Sequence, residues 1–350
     1  MPSCLKCGAE LTVNEEGVAP VLCDRCAGAA GRKARTSMAV SAYRSPVTAL
    51  LLSINVTIFI VMVVSSGSIA SFSGQTLIRW GANYGPLTLS GDYWRLLTAA
   101  FVHANPFHIL VNCWGLWSLG QLCERLFGKW QTLLIYVLTG VGGSLLSIAY
   151  DNNRLSVGAS GALFGIVGAL IVGLKFGDLA LSAGQRRSML SSLISVVVLN
   201  FMLGTFGGID NMCHLGGFVT GLLVGLPLGA FARKHQLLQL GTFVVTAAVL
   251  AVAGQELVQN HGTEAPKQAA LLAWSHKDFG RAVHHLERYA ASRPDDDVAL
   301  VMLGEAYVNN HELEKAVNAF ERALKINPNS MEARQDLEEL RGSTPESKDK

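Results

Sequence analysis

Seven apolar runs, at residues 47–65, 103–122, 130–150, 157–174, 189–203, 211–231 and 237–258, fill the middle of this 350-residue chain. Most are long enough to cross about 30 Å of hydrocarbon as helices rising about 1.5 Å per residue. A segment in lipid must satisfy its own backbone hydrogen bonds, so such runs fold as helices and little else. Composition agrees: 15% of residues are charged, against about 25% in soluble domains. Half are hydrophobic. The fold class is therefore an all-α polytopic membrane protein, with the charge gathered in about the first 45 and last 90 residues. The net charge of +2 is scattered rather than striped, which gives no reason to invoke nucleic acid.

Orientation follows from positive charge. With the start of the chain inside, Arg32, Lys33, Arg35, Arg44, Arg125, Lys129, Lys175, Arg186, Arg187, Arg233 and Lys234 lie on the inner side, against Arg79, Arg95 and Arg154 outside. The second, fourth and sixth runs then all descend from the outer face. Each carries polar residues near its outer end: His103, His108 and Asn112; Ser160; His214. Burying such groups in hydrocarbon is costly, so they default to a functional reading. The fourth run is short, roughly 22 Å from Ser160 to Leu174 at helical rise, so Ser160 is expected to sit recessed below the outer surface. Gly161, Gly165 and Gly168 line one helix face, and Gly217, Gly221 and Gly225 another, which lets two backbones approach closely.

The start of the chain has a different signature. Cys4-x2-Cys7 and Cys23-x2-Cys26 are separated by fifteen residues, the spacing at which two thiolate pairs close a tetrahedron around zinc. Two disulfides or free thiols are the competing readings; the reducing inner side disfavours oxidation. Four sulfur ligands leave no open metal position, so this zinc would be structural and not catalytic. The pattern is similar to a zinc ribbon, a small β unit at 1–31, with a basic linker at 32–46.

Over residues 47–231 the chain resembles the rhomboid family of intramembrane serine proteases. The resemblance rests on Trp94-Arg95, His103, His108-x3-Asn112, Gly120-x3-Glu124-x3-Gly128, Gly158-x-Ser160-Gly161 and His214-x2-Gly217-x3-Gly221. It implies a six-helix core at 47–235, with Ser160 as nucleophile and His214 as general base in a dyad without a third carboxylate. It further implies that His108, Asn112 and Ser160 bind the oxyanion and that Phe164 supports the histidine ring. Gly158, Gly161 and Gly217 are supporting positions, the link 204–210 is a cap over the site, and catalysis needs no cofactor. Residue chemistry agrees: a neutral imidazole can take a serine proton near pH 7, and a helix start favours an oxyanion. Cys213 stands where the family usually has alanine. Asp210, one turn before His214, is placed in the outer loop. Glu124 and Arg125 read as a structural anchor at the inner surface.

A seventh membrane helix, 236–258, distinguishes this chain from a six-helix core. Beyond it, Pro294 and Pro328 stand 34 positions apart, the tetratricopeptide period. Leu303, Gly304, Tyr307, Ala316, Phe320 and Ala323 occupy the small and large positions of one such unit. Residues 265–341 therefore read as about one and a half α-α repeats with a closing helix, and 342–350 as a disordered tail. The functional expectation is an endopeptidase of the bacterial inner membrane. Its substrates would be single-span membrane proteins, cut near the outer face, and the repeats would offer a surface to a protein partner. The alternative is a non-proteolytic chaperone or scaffold of the same fold, for which a serine and histidine pair has no use.

Overall fold

A computed structural model describes residues 3, 4, 7, 9, 10, 23 and 26 together with 45–177, 181–204, 208–230 and 236–343. The linker at 32–44, most of 1–31, residues 205–207 of the expected cap and the tail from 344 lie outside the described residues.

The first membrane helix, α1 (Pro46–Ser66), begins with proline, and Ser45 offers no side-chain cap. Its free N-terminal donors are met from elsewhere: the Glu124 carboxylate accepts from Val47 N (3.2 Å), Thr48 N (2.9 Å) and Thr48 Oγ1 (2.9 Å). A carboxylate at the positive end of a helix is favourable on both hydrogen-bond and dipole grounds. The expected inner anchor is thus a helix cap supplied from the second segment.

That second segment starts later than its apolar run. Asn105 caps the His108 N–H and Pro106 takes the first helical position, a standard start signal. The helix therefore comprises α5 (Pro106–Gly115), a π-helical turn (Leu116–Gly120) and α6 (Gln121–Leu126), and His103 sits in the loop before it. The loop between α1 and α5 holds three short helices, α2 (Gly74–Arg79), α3 (Gly85–Leu89) and α4 (Arg95–Thr98). It also holds β1 (Asn83–Tyr84), which pairs antiparallel with β2 (Leu155–Ser156). Buried Arg95 ties the loop together, donating to Ile78 O (2.7 Å) and Ala82 O (3.2 Å) and pairing with Asp92 at 3.0 Å.

The remaining membrane helices are α7 (Lys129–Tyr150), α8 (Ser160–Phe176), α9 (Ala183–Gly204), α10 (Asn211–Ala230) and α11 (Gln236–His261). Four helices among the described residues are long and apolar enough to span a membrane: Pro46–Ser66, Lys129–Tyr150, Asn211–Leu228 and Leu237–His261. A fifth is reached if the pair Arg95–Phe101 and Pro106–Leu126, bent by 93°, counts as one. At 17 residues α8 is shorter. The fifth apolar run lies in a helix of 22 residues rather than 15, because the polar stretch Gln185–Ser188 extends it at the start.

Helices α8 and α10 meet backbone to backbone. A Cβ on Gly217 would lie 1.9 Å from Gly161 O, one on Gly221 2.0 Å from Gly165 O, and one on Gly225 2.7 Å from Ala169 Cα. These three contacts repeat every four residues on both helices, so the register is fixed over two turns. On its other side Gly165 faces Thr139 of α7, 2.1 Å from a Cβ that is absent.

After α11 come two complete helix pairs, α12 (Ala265–Ser275) with α13 (Phe279–Ser292) and α14 (Asp297–Asn309) with α15 (Leu313–Ile326), then a closing helix α16 (Met331–Ser343). The first pair is whole despite its weak motif, since Ala269, Ala270, Ala273, Ala282, Leu286 and Ala290 supply the small and large buried positions. The repeats dock on the loop between α1 and α5 and on the end of α7. Ala265 packs with Leu89 and Ile148, and the Arg288 guanidinium lies over Gly91, where a Cβ would come within 2.3 Å of Nη1. At this contact burial, with His284 and Arg288 nearby, pushes the His285 imidazole down to about 4, against the opposing pull of Asp92.

Gly221→Ala should therefore destabilise the folded protein by about 1–3 kcal/mol, the usual cost of overpacking, because a backbone oxygen cannot step aside. Gly241→Ala, with nothing within 4 Å of its Cβ, should not destabilise it. Unfolding midpoints of the two variants in the same detergent measure the difference; equal midpoints would refute the close-packed register.

Candidate active site

The α8–α10 register sets the site. Ser160 opens α8 and His214 lies in the first turn of α10, so both side chains project at the same end of the packed pair. His214 Nε2 and Ser160 Oγ are 2.8 Å apart. The imidazole lies flat on Phe164, one turn below Ser160, with ring centroids 4.3 Å apart and planes within 13°. Phe201 of α9 closes over the pair edge-on, 5.5 Å from Phe164 and 6.5 Å from His214.

His214 is only 5% exposed, and its Nδ1 has no hydrogen-bond partner. Its orientation therefore comes from ring stacking and from Ser160, not from a carboxylate. Asp210 is turned elsewhere: it accepts from Cys213 N at 3.0 Å and from Ser147 Oγ at 2.5 Å. The two expected members of the dyad are together, and no third acidic member is beside them among the described residues.

Polar donors converge on the other side of Ser160. Gly158 has φ of 110°, a backbone conformation open to glycine and strained for other residues. A Cβ there would lie 2.5 Å from His108 Nε2 and 3.6 Å from Asn112 Nδ2. The absence of that side chain leaves both groups facing the strand that leads to Ser160. Asn112 is held by donating to His108 O at 2.9 Å, and His108 Nδ1 faces Ala104 N at 3.5 Å, which leaves Nε2 as the nitrogen directed at the site. The first N–H groups of α8 have no intrahelical acceptor, and the helix dipole adds positive potential there. Gly161 and Gly217 face each other behind the serine, as the contact above shows.

His103 is wholly buried. Its Nδ1 lies 3.3 Å from Phe101 O and its Nε2 3.5 Å from Ala159 N, so it braces the residue before Ser160. Gly158 N donates to Ala99 O at 2.8 Å, and Tyr136 Oη to Ala100 O at 3.1 Å. Phe201 and Tyr136 escaped sequence reasoning, since an aromatic residue within an apolar run carries no mark of what it faces.

The four cysteines at the start form a separate cluster. Their sulfur atoms all lie within 4.8 Å of one another, with Cys7 Sγ 3.7 Å from Cys23 Sγ. A zinc tetrahedron with Zn–S near 2.3 Å has sulfur–sulfur edges of about 3.8 Å, so the donor set fits that ion. Cys4 N donates to Ala9 O at 2.8 Å, and Ser3 bridges Glu10 antiparallel, which closes a tight turn around the first pair. That bridge is all the β structure described there.

Comparison with known proteins gives the site a context. Residues 90–231 match the rhomboid domain and residues 273–340 the tetratricopeptide repeat. The rhomboid protease GluP of Bacillus subtilis (strain 168) is 30% identical over 289 residues, covering 80% of this chain and 54% of that protein. The rhomboid protease AarA of Providencia stuartii is 29% identical over 239 residues, 62% of this chain and 83% of its own. RHOMBOID-like protein 1 of Arabidopsis thaliana is 38% identical over 154 residues, 44% and 39% of the two chains. The chain thus spans about half the length of the first of these relatives and most of the second. It is a multi-pass membrane homologue of rhomboid proteases, in which a rhomboid domain at 90–231 is followed by tetratricopeptide repeats at 273–340.

Proposed function

We propose that this protein is an intramembrane serine endopeptidase in which Ser160 attacks the scissile carbonyl and His214 is the general base. The observation that carries the reading is the 2.8 Å contact between His214 Nε2 and Ser160 Oγ with the ring stacked on Phe164. As Oγ bonds to the carbonyl carbon, its proton passes to His214 Nε2, which later returns it to the leaving amine. The oxyanion that forms meets His108 Nε2, Asn112 Nδ2 and the free N–H groups at the start of α8. Water then hydrolyses the acyl-enzyme by the same route. No step needs a metal.

The substrates are single-span membrane proteins, cut near the outer membrane face, where a helix with small or helix-breaking residues can unwind across Gly158. The start of the chain faces the cytoplasm of a bacterial inner membrane, and the repeats and the site open outward. Supporting this orientation, the cap on α1 and the docked repeats lie at opposite ends of the first membrane helix: Glu124 holds its start, whereas the repeats rest on the loop after its end.

Ser160→Ala and His214→Ala should each abolish cleavage of a single-span substrate in lipid, and the double variant should be no worse than either. Asn112→Ala should lose on the order of 10²-fold in kcat, as for an oxyanion donor. Cleavage by a folded Ser160→Ala protein would overturn the assignment.

The cysteine cluster is read as a structural zinc ribbon on the inner side. One zinc per chain should copurify, and Cys4→Ser with Cys7→Ser should release it while leaving turnover in detergent nearly intact. Metal analysis that finds none in chelator-free wild-type protein would refute the zinc.

The repeats are read as a holder for the outer domain of a substrate. Deleting residues 265–350 should slow cleavage of a substrate with a large outer domain and leave a short transmembrane peptide unaffected. Equal slowing of both would show that the repeats act only by supporting the loop at Leu89 and the end of α7 at Ile148.

A further inference from the structure

Two segments deliver the proposed catalytic pair: the chain from Arg154 to Ser160 and the first turn of α10 from Asp210 to His214. One side chain joins them. Arg154 Nη2 donates to Gly208 O at 3.2 Å and to Ile209 O at 2.9 Å, and its Nε lies 3.8 Å from Asp210 Oδ1. Asp210 in turn accepts from Cys213 N on α10 and from Ser147 Oγ on α7, and Ser147 is buried. Both carboxylate oxygens are thereby used, one toward the helix that carries His214 and one toward the bundle.

Neither segment has slack. From Arg154 onward, Leu155 and Ser156 are paired with β1, Gly158 N is bonded to Ala99 O, and Ala159 N faces His103 Nε2. From Asp210 onward, its carbonyl accepts from His214 N at 3.1 Å. A shift of Arg154 against Asp210 therefore reaches the Ser160–His214 contact through bonded backbone on both sides. We propose that Arg154, Asp210 and Ser147 form a clamp of positioning residues that sets the separation of Ser160 from His214. The clamp replaces the third carboxylate of a triad in function but not in place: its acid holds the backbone turn that presents the imidazole instead of the ring nitrogen. The pair is partly exposed, 30% for Arg154 and 14% for Asp210, so its value lies in geometry more than in Coulomb energy.

This inference rests on the protease reading, so the assay compares wild type with Ser160→Ala on a single-span substrate in lipid. A wild type that does not cut overturns both claims together. If wild type cuts, Arg154→Ala and Asp210→Ala, each normalised to monodisperse folded protein, should lower kcat about tenfold, within the range for a slightly misplaced reacting group. KM should stay within about twofold of wild type. The double variant should be no slower than the worse single variant, because the groups act as one unit. Arg154→Lys, which keeps a cation opposite Asp210, should recover to within about threefold of wild type, and it provides the test if the alanine variants do not fold. The clamp is refuted by unchanged kcat in folded Arg154→Ala, by losses that multiply in the double variant, by a change confined to KM or melting midpoint, or by Arg154→Lys no better than alanine.

Discussion

Close contact of α8 and α10 is the constraint from which the rest follows. With Gly217 against Gly161 O and Gly221 against Gly165 O, the two helices have one register and almost no freedom to slide. In hydrocarbon there is little hydrophobic force to join helices, so backbone proximity and dispersion supply it. Because Ser160 precedes Gly161 by one residue and His214 precedes Gly217 by three, the same register that packs the helices aligns the two functional side chains. The register brings the two residues to the same end of the pair, and the contacts of Arg154 with the 208–210 segment then tie together the two segments that carry them.

What remains is orientation, and each polar group here is oriented by a different means. Stacking on Phe164 fixes the plane of the His214 ring. The Ala159 N–H and the 99–101 turn fix His103. The missing side chain at Gly158 leaves His108 and Asn112 facing the chain before Ser160. In a low-dielectric setting an unpaired polar group is costly, and Asn112 meets that demand by donating to His108 O. The same cost explains why Glu124 is not free at the start of α1: its oxygens are absorbed by the N–H groups of Val47 and Thr48.

The chemistry-bearing residues were legible because apolar surroundings make a lone serine or histidine conspicuous. The glycines spaced by four announced the helix contact for a similar reason. Boundaries were less legible. His103 looks like the start of a span, yet Asn105 and Pro106 move the helix start past it, since capping chemistry outweighs hydropathy at a helix end. The fifth run looked shorter than its helix because polar residues after Ala183 remain helical. The first repeat reads as degenerate because its motif is weak, yet Ala269, Ala270, Ala273, Ala282 and Ala290 are all buried. The short β1–β2 pair left no signal: two residues on each side are too few for alternation to show.

The join between membrane core and repeats is more than a tether. α11 ends at His261 and α12 begins at Ala265, so three residues separate them. Ala265 is buried against Leu89 and Ile148, and Arg288 covers Gly91. The contacts at Leu89 and Gly91 fall on the loop that Arg95 braces from within through Ile78 O, Ala82 O and Asp92. Asp92 therefore sits between the buried arginine of the loop and the buried His285 of the repeat. Through β1, the loop pairs with β2, the strand that lies between Arg154 and Ser160. The repeats thus touch the loop through side-chain packing at Ala265 and Arg288, and the loop joins the segment that leads to Ser160 through the backbone pairing of β1 with β2.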